Sequence, residues 1–322
     1  MKISIIITNY NYANYLPAAI NSVVAQTYSD YEIIIVDDGS KDDSRNVITQ
    51  FQQKYPDKIK AIFQENQGQS AAFNAGFEAA KGEIIAFLDA DDVWKPNKLQ
   101  RVVEALNQPD IVGTMHLLEM IDREGNVTST PDSNERIPSG DLARVVLNTG
   151  NAWWFPPTSG LAYRRSILTK VFPMDTGKWQ LCADGCLVYC TAFLGKIKTL
   201  NEVLGSYRLH GANNFSFSEH VTSEQLAETQ AGIEMTNQYL NDFLKRINYP
   251  EKVDLARNLQ YRRTQYYLQA KWDNDEMRAI SGLILGWPFY SWQERVYYLI
   301  RFWLKSAKFL IRPSFYGEKT TI

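Results

Sequence analysis

The chain has little cysteine, almost no net charge and no long uninterrupted apolar stretch. Its 34 lysines and arginines nearly balance 36 aspartates and glutamates, which leaves a formal net charge of −2 over 322 residues. Because nucleic-acid-binding proteins present a basic surface, we expect no nucleic-acid partner. No charge-free run reaches the roughly eighteen residues that span a bilayer, which argues against a transmembrane helix. The opening MKISIIITNYNY has too short an apolar run for a signal peptide, so we expect a cytoplasmic protein.

The few cysteines argue against a disulfide-stapled protein. Cys182, Cys186 and Cys190 are four residues apart, which places them in one stripe if the segment is helical. Small thiols on a helix face usually belong to the core. We therefore predict that the three cysteines are reduced and structural.

The first part of the chain repeats a pattern of a short apolar run, a turn and a helical stretch. The apolar runs are continuous rather than alternating, as strands covered on both faces require. Helical stretches between them begin near Pro17, Ser44 and Gln69. This order predicts a parallel α/β sheet. The four predicted strands are Ile3–Thr8, Tyr31–Asp37, Ile59–Phe63 and Glu83–Asp89.

The stretch FLDADDVW crowds Asp89, Asp91 and Asp92 at the end of the fourth predicted strand. Like charges repel and buried carboxylates are unfavourable, so the cluster needs a reason. One is a divalent cation; the other is an Asp-rich turn that caps the next helix, with Asp92 as the cap. Ligands of such sheets bind beyond the carboxyl ends of the strands. That rule places Thr8 and Asp38 at the same edge.

Two longer segments carry a family resemblance. SIIITNYNYANYLPAAINSVVAQTYSDYEIIIVDDGSKDDS and NQGQSAAFNAGFEAAKGEIIAFLDADD resemble the nucleotide-binding half of family 2 glycosyltransferases of the GT-A fold. DGCLVYCTAFLGKIKTLNEVLGSYRLHGANNF resembles the acceptor-side half. The resemblance implies a mostly parallel GT-A sheet flanked by helices and followed by an all-helical C-terminal region. The implied division is 1–110 for the nucleotide-sugar half, 111–215 for the acceptor half and 216–322 for the helical region.

The same resemblance implies inverting transfer of a sugar from a nucleotide-diphosphate donor with Mg²⁺ or Mn²⁺ as cofactor. Asp91 is the predicted metal ligand. Asp89 is predicted to contact the metal, a metal-bound water or the donor ribose. His210, in the sequence YRLHG, is predicted to contact the metal or the phosphate.

Donor recognition is predicted at the ends of the first two strands. Thr8 and Tyr10 are expected to meet a pyrimidine, and Asp38 to accept a hydrogen bond from the uracil N–H. Relatives commonly carry Ala-Arg-Asn where this chain has Ala-Phe-Asn, ending at Asn74. Asn74 is assigned to the donor, and the charge of the donor phosphate, which the missing arginine would have met, is expected to be met by Arg208 or by the metal alone.

The catalytic base implied by the family is Asp184, in CADGCLVYC, with an alanine where relatives carry a glutamate before it. A base needs reach and a suitable pKa, so Asp184 remains the predicted base. The alternative is that Asp184 only caps the cysteine-bearing helix.

The acceptor is predicted to be a glycan or a lipid-linked saccharide. Relatives build the acceptor cleft near residues 151–166, where Trp153, Trp154 and Phe155 lie. These rings can stack on sugars, or they can belong to the core.

The last third is predicted to be helical, with an amphipathic basic helix at about 288–313. The apolar face of that helix either lies on an anionic membrane, packs on the protein's own core, or meets a second subunit of a homo-oligomer. The basic face holds Arg301, Lys305, Lys308 and Arg312, and the apolar face holds Trp292, Val296, Leu299, Trp303, Ala307 and Leu310.

Two other function classes remain open. A degenerate, non-catalytic nucleotide-sugar or glycan-binding protein would explain the missing arginine and glutamate. A nucleotidyltransferase also uses an α/β sheet and aspartates, but it typically has a glycine-rich, lysine-bearing loop after its first strand. The matching stretch TNYNYANYLP has neither residue.

Overall fold

The computed structural model describes residues 1–131, 137–151, 155–180, 182–211 and 222–311. The strands are β1 (Ile3–Asn9), β2 (Tyr31–Asp38), β3 (Ile59–Gln64), β4 (Ile84–Asp89), β5 (Val93–Trp94), β6 (Ile111–Ile121), β7 (Val127–Ser129), β8 (Leu161–Arg164) and β9 (Lys196–Arg208). The helices are α1 (Leu16–Val24), α2 (Ser44–Lys54), α3 (Gln69–Ala79), α4 (Lys98–Leu106), α5 (Leu142–Thr149), α6 (Arg165–Leu168), α7 (Ala183–Thr191), α8 (Ser223–Arg246), α9 (Leu259–Gln269), α10 (Asn274–Gly286), α11 (Trp292–Ser306) and α12 (Lys308–Ile311).

All of these strands belong to one mixed sheet. Its order is β3-β2-β1-β4-β8-β6-β9-β5, with β7 paired to β6. The four strands at the β3 end are parallel to one another, and β8 joins them antiparallel. The predicted fold class is therefore confirmed: a mostly parallel sheet with flanking helices, followed by a helical region. The parallel strands point their carboxyl ends to one edge, where the candidate site lies.

Burial on both faces explains why the apolar runs form central strands. The residues from Ile3 to Ile7 are buried along β1, and each fully buried isoleucine contributes about 1.5–3 kcal/mol. α1 covers this layer with Leu16, Ala19, Ile20 and Val23, the spacing of a single helix face. The helix begins with a proline in its first turn, where a missing N–H breaks no helical hydrogen bond.

The chain divides into two compact units. One unit comprises Met1–Leu142 with Trp154–Asn213, and the other comprises Ala143–Trp153 with Asn214–Ile322. The second unit thus includes residues 143–153, which the sequence prediction kept with 111–215. Backbone contacts explain the difference: Asn258 donates its side-chain amide to the carbonyl of Gly150 at 2.8 Å, and Arg257 donates to that of Leu147 at 3.2 Å.

The second unit has its own apolar core, formed by its helices. No helix within the described residues is long and apolar enough to cross a bilayer. At the centre of this core Tyr266 packs against Phe302, with ring centroids 5.6 Å apart. Its fully buried apolar side chains are Tyr266, Met277, Ile280, Ile284 and Phe302.

The C-terminal helix differs from its predicted form in two respects. It is split into α11 and α12, and Lys305 does not lie on an exposed basic face. The Nζ atom of Lys305 lies 4.2 Å from the ring centroid of Tyr267, and burial lowers the pKa of this lysine to about 8. The buried residues of α11 are Phe302 and Ser306. The side of the helix that faces the core therefore differs from the predicted apolar face, much of which is exposed to solvent. Arg312 lies outside the described residues.

Candidate active site

The predicted strand-end residues lie at the same edge of the sheet. Thr8 of β1 is directly opposite Asp89 of β4, and its Oγ1 is 3.5 Å from the Asp89 Oδ1. Asn9 of β1 is opposite Asp37 of β2. Because the strands are parallel, consecutive strand ends add their polar residues to one surface.

The loops that follow β1 and β2 are hydrogen-bonded to each other. Asn9 donates its side-chain amide to Asp37 at 2.9 Å and to the Ser40 Oγ at 3.1 Å. Asn11 has a left-handed backbone with φ of 61°, which asparagine tolerates better than most residues. Its side-chain carbonyl accepts the N–H of Lys41 at 2.7 Å. These contacts hold the loop that carries Tyr10, a residue that is 46% exposed.

Asp38 organises the loop that leads into α3. Its carboxylate accepts the side-chain amide of Gln64 at 2.7 Å and the backbone N–H groups of Gln67 at 3.0 Å and Gly68 at 2.8 Å. A carboxylate has about four acceptor positions. The three contacts leave room for about one more hydrogen bond, such as one from a nucleotide base.

The aspartate cluster at the end of β4 contains buried carboxylates that repel one another. Burial raises the pKa of Asp89 well above its usual range, and the charges of Asp91 and Asp184 raise it further. Burial also raises the pKa of Asp92, with added repulsion from Asp91 and Asp89. Asp91 is paired differently: its Oδ2 lies 2.9 Å from the Nε2 of His210. The predicted metal-binding residues Asp91 and His210 are thus in direct contact.

Aromatic side chains surround this pair. Tyr15 stacks on the His210 ring with centroids 5.1 Å apart, and Tyr12 meets it edge-on at 5.3 Å. Burial, reinforced by Asp91 and Asp89, raises the pKa of Tyr12, so this phenol stays neutral. The side chain of Arg123 donates to the carbonyl of His210. His210 is therefore held from its ring and from its backbone.

Arg208 anchors the aspartate turn through backbone groups. Its Nε donates to the carbonyl of Asp91 at 2.8 Å, and its own N–H donates to Asp92 Oδ1 at 3.0 Å. Its Nη1 donates to two further carbonyls, those of Asp122 and Arg123, at 3.0 Å each. These contacts support a structural role beside the predicted donor contact. They also correct one prediction: Asp92 is fully buried and does not cap α4, whose N-cap position is Asn97.

Asp184 lies in the first turn of α7, next to the loop that begins α3. Gln69 joins the two elements, because its Oε1 accepts the N–H of Ala183 at 2.9 Å and its N–H donates to the carbonyl of Gln180 at 2.9 Å. At Gly68, with φ of +88°, an added Cβ would lie 2.7 Å from that carbonyl oxygen, so glycine is required. The N-cap position is Cys182, so Asp184 is not the helix cap. Burial raises the pKa of Asp184 to about 6.

Comparison with known proteins identifies the family. The family model of glycosyl transferase family 2 matches residues 4–172. The chain belongs to glycosyl transferase family 2. It is 65% identical over its full length to an uncharacterised glycosyltransferase of Nostoc sp., whose full length is also covered. A second relative, an uncharacterised glycosyltransferase of Rickettsia conorii, is 43% identical over 38% of this chain and 20% of its own length.

Solved structures resemble this glycosyltransferase in fold. Residues 1–349 of Staphylococcus aureus TarS in complex with UDP give a TM-score of 0.55 at 18% identity, covering 100% of this chain and 96% of that one. The mannosyltransferase PcManGT of Pyrobaculum calidifontis, in complex with GDP-Man and Mn²⁺, gives 0.52 at 16% identity, covering 97% and 85%. At these identities the likeness establishes a shared fold.

Two departures from the family pattern have a structural explanation. Phe73, in place of the arginine, is fully buried and packs on Phe87 with centroids 5.0 Å apart. Asn74 exchanges two hydrogen bonds with the backbone of Met174, at 3.0 and 2.8 Å. Its side chain therefore ties two segments together, and donor contact by Asn74 stays a prediction. Ala183 is fully buried, and Gln69 binds its N–H.

The predicted acceptor stretch divides into two parts. Trp153 and Trp154 lie outside the described residues, while Phe155 meets Tyr189 edge-on with ring centroids 5.5 Å apart. The 3-10 turn at Thr158–Gly160 packs instead against the aspartate cluster. The contact between this turn and Asp92 was not predicted from the sequence, because no local pattern links Ser159 to Asp92, 67 positions away.

The residues present fit a cation whose ligand shell is completed by the donor. Within the described ranges, no group of three or more His, Cys, Asp or Glu side chains is arranged to hold a metal. Mg²⁺ typically takes one or two carboxylates and completes its shell with water and substrate phosphate. Asp91 and His210 supply such a partial ligand set, and a cation there would offset the repulsion that adds to burial in raising the pKa of Asp89 and Asp92.

Proposed function

We propose that this glycosyltransferase moves a sugar, with inversion at the anomeric carbon, from a nucleoside-diphosphate donor to a glycan or lipid-linked saccharide. The observation that carries the proposal is the placement of Asp184. Its carboxylate has a pKa near 6 and lies close enough to the strand-end cluster for its charge to act on Asp89. A base close to the leaving-group site is what an inverting displacement needs.

The reaction follows from these roles. Asp184 accepts the proton of the acceptor hydroxyl, whose oxygen forms a bond to the anomeric carbon as the bond to the diphosphate breaks on the opposite face. A pKa near 6 leaves the carboxylate ionised at pH 7 and still basic, which suits a general base. Asp91 and His210 would hold Mg²⁺ or Mn²⁺, which would supply positive charge to neutralise the departing diphosphate.

Uridine is the nucleoside that the strand-end residues favour. The remaining acceptor position of Asp38 suits the N–H of a uracil edge, and a base without that donor would leave the carboxylate less well paired. Tyr10 offers an exposed ring in the loop after β1, and Thr8 lies near the end of β1, the strand next to β2. The fold neighbour TarS was solved with UDP, which supports the same choice.

A donor panel tests this proposal. The full chain is incubated with Mn²⁺, a mixture of soluble glycan acceptors and UDP-, GDP- and dTDP-sugars, and the released nucleoside diphosphate is measured. We expect release from a UDP-sugar to exceed release from the others by at least about tenfold, because a hydrogen-bonded base edge adds about 1–3 kcal/mol of discrimination. Binding of UDP-sugars without release from any donor would instead indicate a non-catalytic binding protein.

We also propose that the exposed face of α11 lies on an anionic membrane, so that the natural acceptor is membrane-carried. The face is unusually apolar for an exposed helix, with Trp292 70% and Leu304 69% exposed. Tryptophan and leucine on one side of a helix suit the interface of a bilayer. The exposed apolar side chains of the helix are Trp292, Val296, Tyr297, Ile300, Trp303 and Leu304.

Charge favours an anionic lipid surface as the occupant of this face. Arg301 and Lys308 are exposed beside it, and no aspartate or glutamate occurs from Arg295 to Arg312. Each basic residue near an anionic membrane contributes about 1 kcal/mol. Binding should therefore be reversible and sensitive to salt.

Vesicle co-sedimentation tests the membrane proposal. At low salt the parent should bind phosphatidylcholine vesicles that contain phosphatidylserine, and Arg301→Glu with Lys308→Glu should reduce binding at least about tenfold, because two attractive charges become repulsive. Lys245→Glu with Lys252→Glu makes the same charge change at exposed positions elsewhere in the helical unit and should have little effect. If the parent does not bind anionic vesicles and forms a dimer that Leu304→Asp disrupts, a second subunit covers the face instead.

A further inference from the structure

Ser159 joins the two ends of the aspartate turn. The residue is fully buried in the 3-10 turn that precedes β8. Its Oγ accepts the N–H of Asp89 at 3.1 Å and donates to the Oδ2 of Asp92 at 2.6 Å. One hydroxyl therefore fixes the backbone at the start of the turn and the carboxylate at its end. The residue between them that reaches the predicted cation is Asp91.

The carbonyl of Ser159 is held as firmly as its hydroxyl. It accepts the indole N–H of Trp94 at 2.9 Å and an N–H of the Lys98 ammonium at 3.2 Å. Lys98 is fully buried, with its Nζ 3.1 Å from the centre of the Trp94 ring system. Ser159 thus has partners on both its main chain and its side chain, which restricts its movement.

The other side of the turn is fixed by β9. The remaining oxygen of Asp92 accepts the N–H of Arg208 at 3.0 Å, and the guanidinium of Arg208 holds the carbonyl of Asp91 at 2.8 Å. Two elements distant in sequence therefore hold the four-residue turn. The side chain of Asp91 remains directed to His210.

We propose that Ser159 is a positioning residue for cation binding: its hydroxyl sets the shape of the Asp89–Asp92 turn and so places the Asp91 carboxylate. This inference rests on the proposed function, because it assumes that Asp91 binds the cation. Residues that orient metal ligands through hydrogen bonds typically change metal affinity or activity by about 10–100-fold when they are removed. Ser159 has the contacts of such a residue.

The chain offers a closely matched control in Ser4. This serine is also fully buried, donates its hydroxyl to a carboxylate, Glu32, at 2.6 Å and accepts a backbone N–H, that of Gly82, at 2.7 Å. It lies near the amino end of β1, at the opposite edge of the sheet from the site. Ser4→Ala therefore removes the same kind of contacts as Ser159→Ala without touching the aspartate turn.

Titration of Mn²⁺, followed by electron paramagnetic resonance in the presence of saturating UDP, tests the inference without relying on turnover. Ser159→Ala should weaken Mn²⁺ binding about 10–100-fold, whereas Ser4→Ala should leave it within about twofold of the parent. Asp92→Asn should weaken it similarly, and Ser159→Ala should add little further loss in that background, because the two residues share one interaction. Asp92→Asn still tests the inference if Ser159→Ala does not fold.

The outcomes separate this inference from the proposed function. Parent-like Mn²⁺ affinity in folded Ser159→Ala, with affinity lost in Asp91→Ala, would overturn the positioning role and keep the cation site. Parent-like affinity in both variants would remove the cation site from Asp91, and the positioning role with it. Equal losses in Ser159→Ala and Ser4→Ala would show a general effect of destabilisation and would also overturn the role.

Discussion

Asp184→Asn should lower kcat by at least about 10²-fold, the low end for loss of a general base. Asparagine keeps the size and shape of the side chain but cannot take the proton of the acceptor hydroxyl. Because Gln69 and the Gly68 loop hold the start of α7 through backbone contacts, we expect the fold and the donor affinity to be unchanged. Steady-state kinetics with the best donor of the panel, together with UDP binding, measures both effects.

The pH profile adds a second readout for Asp184. In the parent, kcat/KM should fall about tenfold per unit as pH drops below about 6, because only the ionised carboxylate is a base. Burial raises the folded pKa above the usual 3.8 to about 6, so ionisation destabilises the fold as pH rises through that interval. Asp184→Asn should therefore be at least as stable as the parent at neutral pH. Thermal unfolding checks this.

Asp175→Asn provides the control, because Asp175 is an exposed aspartate in the loop before α7. It should keep the parent rate and the parent pH profile. If Asp184→Asn transfers sugar at nearly the parent rate, another residue is the base and the assignment from the family motif is wrong.

Removing the carboxylate of Asp91 should have the second large effect. Asp91→Ala should lower Mn²⁺-dependent turnover by at least about 10²-fold, since a bound cation contributes several kcal/mol of charge stabilisation. It should also weaken Mn²⁺-dependent UDP binding, while metal-free UDP binding persists. Turnover of the parent should stop in EDTA and return with added Mn²⁺. Isothermal titration with and without Mn²⁺ separates the two kinds of binding.

Asp57→Ala is the matched control for Asp91→Ala, because Asp57 is exposed in the loop before β3. Its metal response should equal that of the parent. Full activity of the parent in a metal-free preparation would contradict the prediction, and the raised pKa values of Asp89 and Asp92 would then need another explanation.

The first half of the fold was predictable because its signals are local. The continuous apolar runs of β1 to β4 require cover on both faces, and the helices that alternate with these strands supply it. Element ends agreed within one or two residues, as with Ile3–Thr8 against β1 (Ile3–Asn9). The family was predicted from the same stretch. Its motifs lie at the ends of parallel strands, and the geometry of the sheet brings these ends to one edge.

The family motifs predicted that Asp91 and His210 both serve the metal site, but the direct contact between these residues, 119 positions apart, was found only in the structure. The roles of Thr8, Tyr10, Asp38, Asp89, Asp91, Asp184, Arg208 and His210 remain predictions that the variants above can test. The structure adds the partners of these residues. Arg208 and Asn74 form hydrogen bonds with backbone carbonyls and amides, and a motif match does not reveal these contacts.

The amino-acid sequence by itself determined the parallel sheet, the family and the edge at which the site lies, because strand burial and motif spacing are short-range properties. Only the tertiary structure decided that Ser159 ties Asp89 to Asp92, that Gln69 binds the N–H of Ala183, and that Lys305 turns inward while the apolar face of α11 stays in solvent. Each of these depends on which distant segment packs against a residue. A helical periodicity defines two faces but not their neighbours, and a buried hydroxyl bonds to whichever carboxylate the sheet order brings beside it.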